Sequence, residues 1–226
     1  MNIIEVKNLS AFYENRQVFE NLNFNVENCD YLCIIGENGS GKTTLMKTLL
    51  GFNIKHTGSI TLEGFTKREI GWLPQKTQHQ KDFPASVYEV VMSGFAGGGF
   101  FGTFYNKKTK KNAQKNMEIL GIKNIAECSF SELSGGQQQK VLLCRALCAA
   151  KKVLLLDEAT AGLDEVSSEE LYALIKKLNE QGLAIVMITH DVTRVLDDAK
   201  HVLCLSENNF FYGSVDDLKN QAKGDI

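Results

Sequence analysis

The sequence lacks long apolar runs, has few prolines and carries almost no net charge, and each lack excludes a class of protein. No apolar run reaches the about 18 residues that a membrane-spanning helix requires. Only two prolines occur in 226 residues, which excludes a long proline-rich linker. The formal net charge is −2, which argues against a nucleic-acid partner bound through a broadly basic surface.

The N-terminus also lacks the basic and apolar regions of a secretory signal, so we expect the protein to stay in the cytoplasm. Cysteines there remain thiols, and the chain has six, namely Cys29, Cys33, Cys128, Cys144, Cys148 and Cys204. Cys144 and Cys148 lie four residues apart on a predicted helix and could contact a metal. No second Cys/His pair with zinc-site spacing accompanies them, so buried thiols are the favoured interpretation.

Apolar patterning predicts an α/β protein with a mainly parallel sheet. The alternation in Ile4–Val6 and Leu22–Val26 is typical of half-buried antiparallel strands. Continuous apolar runs at Tyr31–Ile35, Val153–Leu156 and Ala184–Ile188 are typical of parallel strands covered on both faces. Helical patterns lie between these runs, which is the element order of a parallel α/β core.

The middle of the chain, about residues 85–149, is predicted to be a helical insertion. One helix is predicted at Lys107–Leu120, ended by Gly121, and another at Gln137–Ala149, with no apolar strand between them. Phe95–Gly102 contains four glycines and three phenylalanines, so we expect no regular structure there.

The last third of the chain returns to the α/β pattern. Asp164 is a candidate N-cap for a helix whose apolar positions follow i, i+3, i+4, i+7 spacing, namely Leu171, Leu174, Ile175 and Leu178. From about Val202 we expect two short strands and a last polar helix. The predicted organisation is one domain over residues 1–226, in which residues 1–84 and 150–226 form the core and residues 85–149 the helical part.

A phosphate-binding loop is predicted at Gly36–Thr43, which matches the pattern G-x-x-x-x-G-K-[ST] between an apolar strand and a helical run. Its glycines let backbone N–H groups wrap a polyphosphate, and the helix N-terminus adds positive potential. Lys42 is predicted to reach the β- and γ-phosphates, and Thr43 to ligate Mg²⁺. The alternative is a glycine-rich turn that binds nothing.

A pair of carboxylates follows the apolar run Val153–Leu156. Asp157 ends this strand, at the edge of the sheet where open α/β folds bind ligands, and can hold Mg²⁺. Glu158 is one residue further on and could orient or deprotonate an attacking water. The alternative is a strand followed by a solvated acidic turn.

A second phosphate-binding surface is predicted at Leu133–Gln137. Ser134 and Gln137 have the spacing of a capping box that opens the next helix. Gly135 and Gly136 allow another molecule to approach the backbone closely, and the helix N-terminus favours an anion. The alternative is a well-capped helix start with no further role.

Together these motifs resemble the ATP-binding subunit of an ABC transporter over nearly the whole chain. Gly36–Thr44 resembles the P-loop (Walker A) of that family, Leu133–Gln137 its signature motif, and Val153–Glu158 its Walker B strand. Single positions of the family also match: Tyr13 for the aromatic on adenine, Gln75 for the Q-loop, Asp164 for the D-loop and His190 for the switch histidine. The implied fold is a P-loop ATPase core with an N-terminal antiparallel β-subdomain and an inserted α-helical subdomain.

The chain departs from the family pattern at three positions. Asp30 replaces a usual glycine, Ala159 a common proline and Ala161 a common serine. None of these changes removes a group that takes part in the chemistry.

The resemblance implies that two copies pack head to tail around two Mg-ATP. In one copy, the phosphates and Mg²⁺ would be bound by Lys42, Thr43 and Asp157. In the other copy, the γ-phosphate would be faced by Ser134 and Gly136. The implied catalytic residues are Glu158, His190 and Gln75, and the implied magnesium contacts are Thr43, Gln75 and Asp157. The implied nucleotide contacts are Tyr13, Gly36, Asn38, Gly39, Ser40, Gly41, Lys42, Thr43, Thr44, Ser134, Gly135, Gly136, Gln137 and Asp164. Taken alone, His190 after an apolar strand would more often be a buried, satisfied imidazole.

The resemblance also implies partners. The first is a separate integral membrane permease, which would place the chain at the cytoplasmic face of the cell membrane. The second is an extracytoplasmic solute-binding protein, which would interact with this chain only indirectly. No nucleic-acid partner is expected. Residues 75–102 are the candidate docking segment, with Phe95, Phe100 and Phe101 either as an exposed apolar patch or packed back on the helices. Lys107, Lys108, Lys110 and Lys111 are interpreted as a solvated helix start, with a juxtamembrane role as the alternative.

The segment Lys81–Gly94 resembles the zinc/manganese-type metal importers, so metal uptake is the predicted transport function. His56, His79 and His201 are scattered and indicate no transition-metal site on this subunit. The alternatives are an importer ATPase for another substrate such as iron chelates, a soluble ABC-type ATPase that remodels a macromolecule, and a nucleotide-gated module that hardly turns over.

Overall fold

The computed structural model describes residues 1–13, 16–75, 84–98, 105–191, 196–206 and 209–224. Strands β1 (Asn2–Tyr13), β2 (Arg16–Glu27) and β4 (Lys55–Leu62) form an antiparallel sheet in the order β2-β1-β4. Its alternation is the predicted one, since Leu22, Phe24 and Val26 are buried.

The second sheet has six strands in the order β5-β6-β7-β3-β8-β9. They are β3 (Tyr31–Gly36), β5 (Ile70–Leu73), β6 (Val153–Asp157), β7 (Ala184–Ile188), β8 (His201–Leu205) and β9 (Phe210–Ser214). All pair in parallel except β9, which runs antiparallel to β8. Every residue of β6 and β7 is buried, which confirms the predicted two-sided burial.

Six α-helices have both of their ends among the described residues. They are α1 (Lys42–Leu50), α2 (Val87–Met92), α3 (Lys107–Ile119), α4 (Gly135–Ala149), α5 (Glu165–Glu180) and α6 (Val215–Gly224). Helices α2, α3 and α4 contact one another, and no strand lies between α3 and α4. Asp164 caps α5 as predicted, because its side chain accepts from the Ser167 backbone N–H.

Two predictions in the middle of the chain are corrected. Helix α4 begins at Gly135 rather than Gln137, because Ser134 is the N-cap and the helix starts at the next residue. Ser93–Gly98 forms a 3₁₀-helix, so the expectation of no regular structure from Phe95 is wrong up to Gly98. The remainder of that stretch, including Phe100 and Phe101, lies outside the described residues, as do residues 76–83.

Several surface and core predictions on these helices can be compared with the structure. Phe95 packs against the buried core, which is the packed-back alternative rather than the exposed patch. The four lysines at the start of α3 are exposed, as a solvated helix start requires. Cys144 and Cys148 are buried thiols.

The six-stranded sheet separates two hydrophobic cores. Leu154 and Leu156 of β6 face the core shared with α2–α5, whereas Val153 and Leu155 face the core shared with α1 and the antiparallel sheet. Each such side chain contributes roughly 2 kcal/mol by burial. The sheet is therefore packed against a hydrophobic core on each face. This packing supports the loops at the carboxyl ends of its strands.

Asp30, the unusual residue before β3, is fully buried. Its carboxylate lies 2.9 Å from Nδ1 of His201 and accepts from the Glu27 backbone N–H at 3.1 Å. The carboxylate of Asp30 therefore joins the starts of β3 and β8.

We expect Asp30→Ala to lower the free energy of unfolding by about 2 kcal/mol, because the partly buried Glu27 N–H and the His201 imidazole lose their hydrogen-bond partner. Urea denaturation measures this value. The control Glu118→Ala removes an exposed carboxylate bound to Lys123 and should change stability by less than about 1 kcal/mol. Equal effects of the two variants would contradict the anchoring role of Asp30.

Candidate nucleotide site

The loop between β3 and α1 is shaped by three glycines with positive φ. These are Gly36, Gly39 and Gly41, at 149°, 87° and 96°. A Cβ on Gly36 would lie 2.2 Å from the Leu205 carbonyl oxygen, and one on Gly41 would lie 2.7 Å from Val18 Cγ1. Only glycine fits at these two positions, and the loop therefore curls tightly before the N-terminus of α1.

Lys42 is folded back over this loop. Its Nζ donates to the carbonyl oxygens of Gly36 and Glu37, at 2.7 and 2.8 Å. Burial lowers the pKa of its ammonium group, and the carboxylates of Glu158 and Asp157 oppose that shift. An ammonium group has three donors, and these two hydrogen bonds use two of them to hold the loop.

Asp157 ends β6 beneath the loop and is 2% exposed. Burial raises the pKa of its carboxyl, the charge of Glu158 adds to the rise, and a hydrogen bond with the Thr43 side chain opposes it. Its Oδ1 is buried and has no hydrogen-bond partner among the described residues. A buried carboxylate oxygen without a partner beside a threonine hydroxyl is a donor set that fits Mg²⁺.

Three predicted catalytic side chains meet at Glu158. Its Oε2 accepts from Gln75 Nε2 at 2.6 Å, and its Oε1 lies 2.8 Å from His190 Nε2. The Glu158 side chain is 19% exposed and that of His190 51%, so His190 is not the buried imidazole of the alternative interpretation. Both oxygens of the carboxylate are therefore engaged at the edge of the sheet.

The backbone of Glu158 is strained. Its φ is 49°, in the left-handed region that side chains other than glycine rarely adopt. Such a conformation costs on the order of 1 kcal/mol or more and persists where the surroundings impose it. Strain at Glu158, the residue after the end of β6, is consistent with a functional position, because strained backbone conformations cluster at active sites.

An open cleft of about 610 Å³ lies over the loop. Its described lining residues are Tyr13, Arg16, Gln17, Val18, Asn38, Gly39, Gly41, Lys42, Thr43, Thr44, Gln75 and Glu158. Tyr13 stands at the wall with 65% of its surface exposed, where a flat ligand could stack on it. Arg16 and Gln17 were not predicted, because no motif surrounds them and only the pairing of β2 with β1 brings them here.

The predicted signature residues form a separate surface. Ser134 Oγ accepts from the Gln137 N–H at 3.3 Å, and Gln137 Oε1 accepts from the Ser134 N–H at 3.0 Å, which confirms the capping box. A Cβ on Gly136 would lie 2.7 Å from Ser167 Oγ, so this tip packs beside the first turn of α5. None of Ser134, Gly135, Gly136 and Gln137 is among the described lining residues of the cleft.

Asp164 lies beside the signature tip rather than in the cleft. Its Oδ1 accepts from the Ser167 N–H at 2.9 Å, and this backbone hydrogen bond is the main cause of its lowered pKa. Gln139 of α4 was not predicted as a site residue. Its Nε2 donates to the Ala159 carbonyl at 2.6 Å and so connects the signature helix with the residue after Glu158.

Comparison with known proteins places this geometry in a family. The family model described as "ABC transporter" matches residues 19–161. The zinc uptake system ATP-binding protein ZurA of Listeria monocytogenes is 35% identical, with 96% of this chain and 88% of that protein covered. The manganese transport system ATP-binding protein MntB of Halalkalibacterium halodurans is 33% identical, with 96% and 88% covered.

A solved structure described as an inward-facing metal-chelate type ABC transporter superposes with a TM-score of 0.86 at 30% identity, covering 96% of this chain and 85% of that one. The chain therefore belongs to the ABC transporter family, in its class of ATP-binding subunits that hydrolyse ATP. Among the helices of the described part of the chain, none combines the length and apolar character that crossing a membrane requires.

Proposed function

We propose that two copies of this chain enclose two Mg-ATP head to tail and power transport through a separate membrane permease. The observation that carries the proposal is the separation of two phosphate-binding surfaces on one chain. The cleft holds Lys42, Thr43 and Glu158, while the capped tip at Ser134 lies outside its described lining. A second copy would supply that tip, so each nucleotide would be enclosed by both copies.

We assign the following roles to the cleft residues. Lys42 and the glycine-rich loop bind the phosphates, and Tyr13 stacks on the base. Asp157 and Thr43 would hold Mg²⁺, with Gln75 as a further contact, and the ion when bound neutralises phosphate charge. Phosphoryl transfer depends mainly on positioning and charge stabilisation, and this cleft provides both.

Glu158 is the proposed general base. Water attacks the γ-phosphorus, Glu158 accepts its proton, and ADP leaves as the bond to the β-phosphate oxygen breaks. His190 contacts the γ-phosphate and keeps the base oriented through its Nε2. In the structure, Gln75 and His190 contact the two oxygens of Glu158.

The proposal also covers the two parts of the chain and how they meet the permease at the membrane. We assign residues 1–84 and 150–226 to the nucleotide-binding core and residues 85–149 to a helical subdomain that carries the signature tip. The permease would dock on residues 75–102, which would place the chain at the cytoplasmic face of the cell membrane. A solute-binding protein outside the membrane would take part only indirectly.

The proposed cargo is a divalent transition metal, zinc or manganese. The names of the relatives from Listeria monocytogenes and Halalkalibacterium halodurans support this choice. A metal chelate, such as an iron chelate, is the second candidate, and the metal-chelate type structure favours it. A soluble ATPase without a permease is the remaining alternative.

We expect cells that lack the gene to take up radiolabelled zinc or manganese several-fold more slowly, because import stops without ATP hydrolysis. Wild-type chain should restore uptake, and Glu158→Gln should not. Labelled iron chelate is measured in the same cells. Unchanged uptake of both metals would overturn the cargo assignment, and a selective loss of chelate uptake would establish the second candidate.

A further inference from the structure

A buried tyrosine lies between the two loops that carry Glu158 and His190. Tyr172 of α5 is 5% exposed, and its hydroxyl oxygen lies 3.1 Å from Thr160 Oγ1 and 3.4 Å from Thr189 Oγ1. Thr160 is two residues after Glu158, and Thr189 immediately precedes His190. Since each hydroxyl can both donate and accept, the three groups form a polar bridge, defined here as Thr160, Tyr172 and Thr189.

Backbone hydrogen bonds also hold the segments around Glu158 and His190, and the polar bridge adds a side-chain connection to them. Glu158 N–H donates to the Ile188 carbonyl at 3.0 Å, and Ala161 N–H donates to the Glu158 carbonyl at 3.0 Å. Thr189 Oγ1 also accepts from the Asp191 N–H at 3.0 Å, so the hydroxyl that contacts Tyr172 organises the turn around His190. The left-handed backbone of Glu158 needs such support, because strain persists only where surrounding contacts impose it.

Packing alone does not account for the hydroxyl. The Tyr172 ring lies in the core between the sheet and α2–α5, where a phenylalanine would fill nearly the same volume. A buried hydroxyl is costly unless it is hydrogen-bonded. Two of its contacts are with Thr160, which lies near the proposed base, and with Thr189, which precedes the switch histidine. These contacts point to a role in placing Glu158 and His190.

We propose that the Tyr172 hydroxyl is a positioning group that holds the Glu158 and His190 loops in register for ATP hydrolysis. The inference rests on the proposed role of Glu158 as base. Tyr172 lies behind both loops, and its hydroxyl contacts them through Thr160 and Thr189. It keeps the Glu158 carboxylate and the His190 imidazole at their 2.8 Å separation while nucleotide binds and leaves.

Tyr172→Phe removes only the hydroxyl, and we expect kcat for ATP hydrolysis to fall about 3- to 10-fold, because small displacements of reacting groups slow catalysis strongly. KM for ATP should stay unchanged, since the phosphate contacts are elsewhere. Melting should shift by only about 2–4 °C. Tyr31→Phe is the matched control, because Tyr31 is also buried in this core and its hydroxyl contacts Met187 Sδ instead. We expect wild-type kcat for that variant.

A second pair of variants, at Thr160, distinguishes a positioning role of the bridge hydroxyls from a role in packing. Thr160→Val removes the hydroxyl at nearly constant volume and should reproduce the kcat loss, whereas Thr160→Ser keeps the hydroxyl and should retain most of the wild-type rate. Because both changes break one bridge, the double variant Thr160→Val/Tyr172→Phe should be no slower than either single variant.

Wild-type kcat in Tyr172→Phe, or equal kcat in Thr160→Val and Thr160→Ser, would overturn the inference. Glu158→Gln is measured in the same assay, so that failure of the positioning role of Tyr172 can be distinguished from failure of Glu158 as the base. If Glu158→Gln is inactive and Tyr172→Phe is normal, only the positioning role fails. Normal turnover of Glu158→Gln would overturn the proposed base, and the inference with it.

Discussion

The variant Glu158→Gln should still bind ATP and dimerise but lose about 10²- to 10⁴-fold in the rate of hydrolysis, the range that a general base contributes. An amide at this position keeps the size of the side chain and can still hydrogen-bond Gln75 or His190. It does not accept a proton from water at neutral pH, so chemistry stops while binding continues. Phosphate release measures the rate, and a fluorescent ATP analogue measures binding.

The same variant tests whether bound ATP stabilises the closed dimer. A ligand that binds the closed dimer better than the open one shifts the equilibrium towards closure. With hydrolysis blocked, saturating Mg-ATP should convert monomers to dimers in light scattering. Glu127→Gln makes the same chemical change on an exposed surface and should behave as wild type. Normal hydrolysis by Glu158→Gln would assign the base to another group.

Local signals in the sequence predicted much of the scaffold. The glycines of the phosphate loop, the capping box at Ser134 and the N-cap at Asp164 depend on contacts within a few residues, and the structure has each of them. Two-sided burial of β6 and β7 was predictable because Val153–Leu156 and Ala184–Ile188 are continuous apolar runs, which are typical of strands covered on both faces. The α/β class followed from the order of these elements.

Features that depend on tertiary contacts could not be predicted in the same way. β4 has a mostly exposed, polar sequence, and β5 has only four residues, so neither gives a clear periodic signal. The meeting of Gln75 and His190 on Glu158 joins three distant segments through strand pairing. The left-handed φ of Glu158 has no sequence signature either, because glutamate rarely adopts it.

Mixing two inactive variants should restore ATP hydrolysis, and this is the strongest expected consequence of the head-to-tail dimer. Lys42→Ala removes the phosphate contact but leaves the signature tip intact. Gly135→Asp adds a carboxylate in the first turn of α4, where it favours the helix, but it repels the γ-phosphate bound by the other copy. Each variant alone should be nearly inactive, because both of its sites are damaged.

A mixed dimer of these two variants has one site with both defects and one site with none. Half of randomly assorted dimers are mixed, so the mixture should reach about a quarter of the wild-type rate if sites act independently. A chain carrying both changes, mixed with either single variant, contains no complete site and is the control. If the first mixture stays as inactive as this control, each chain completes its own nucleotide site and the shared-site dimer is wrong.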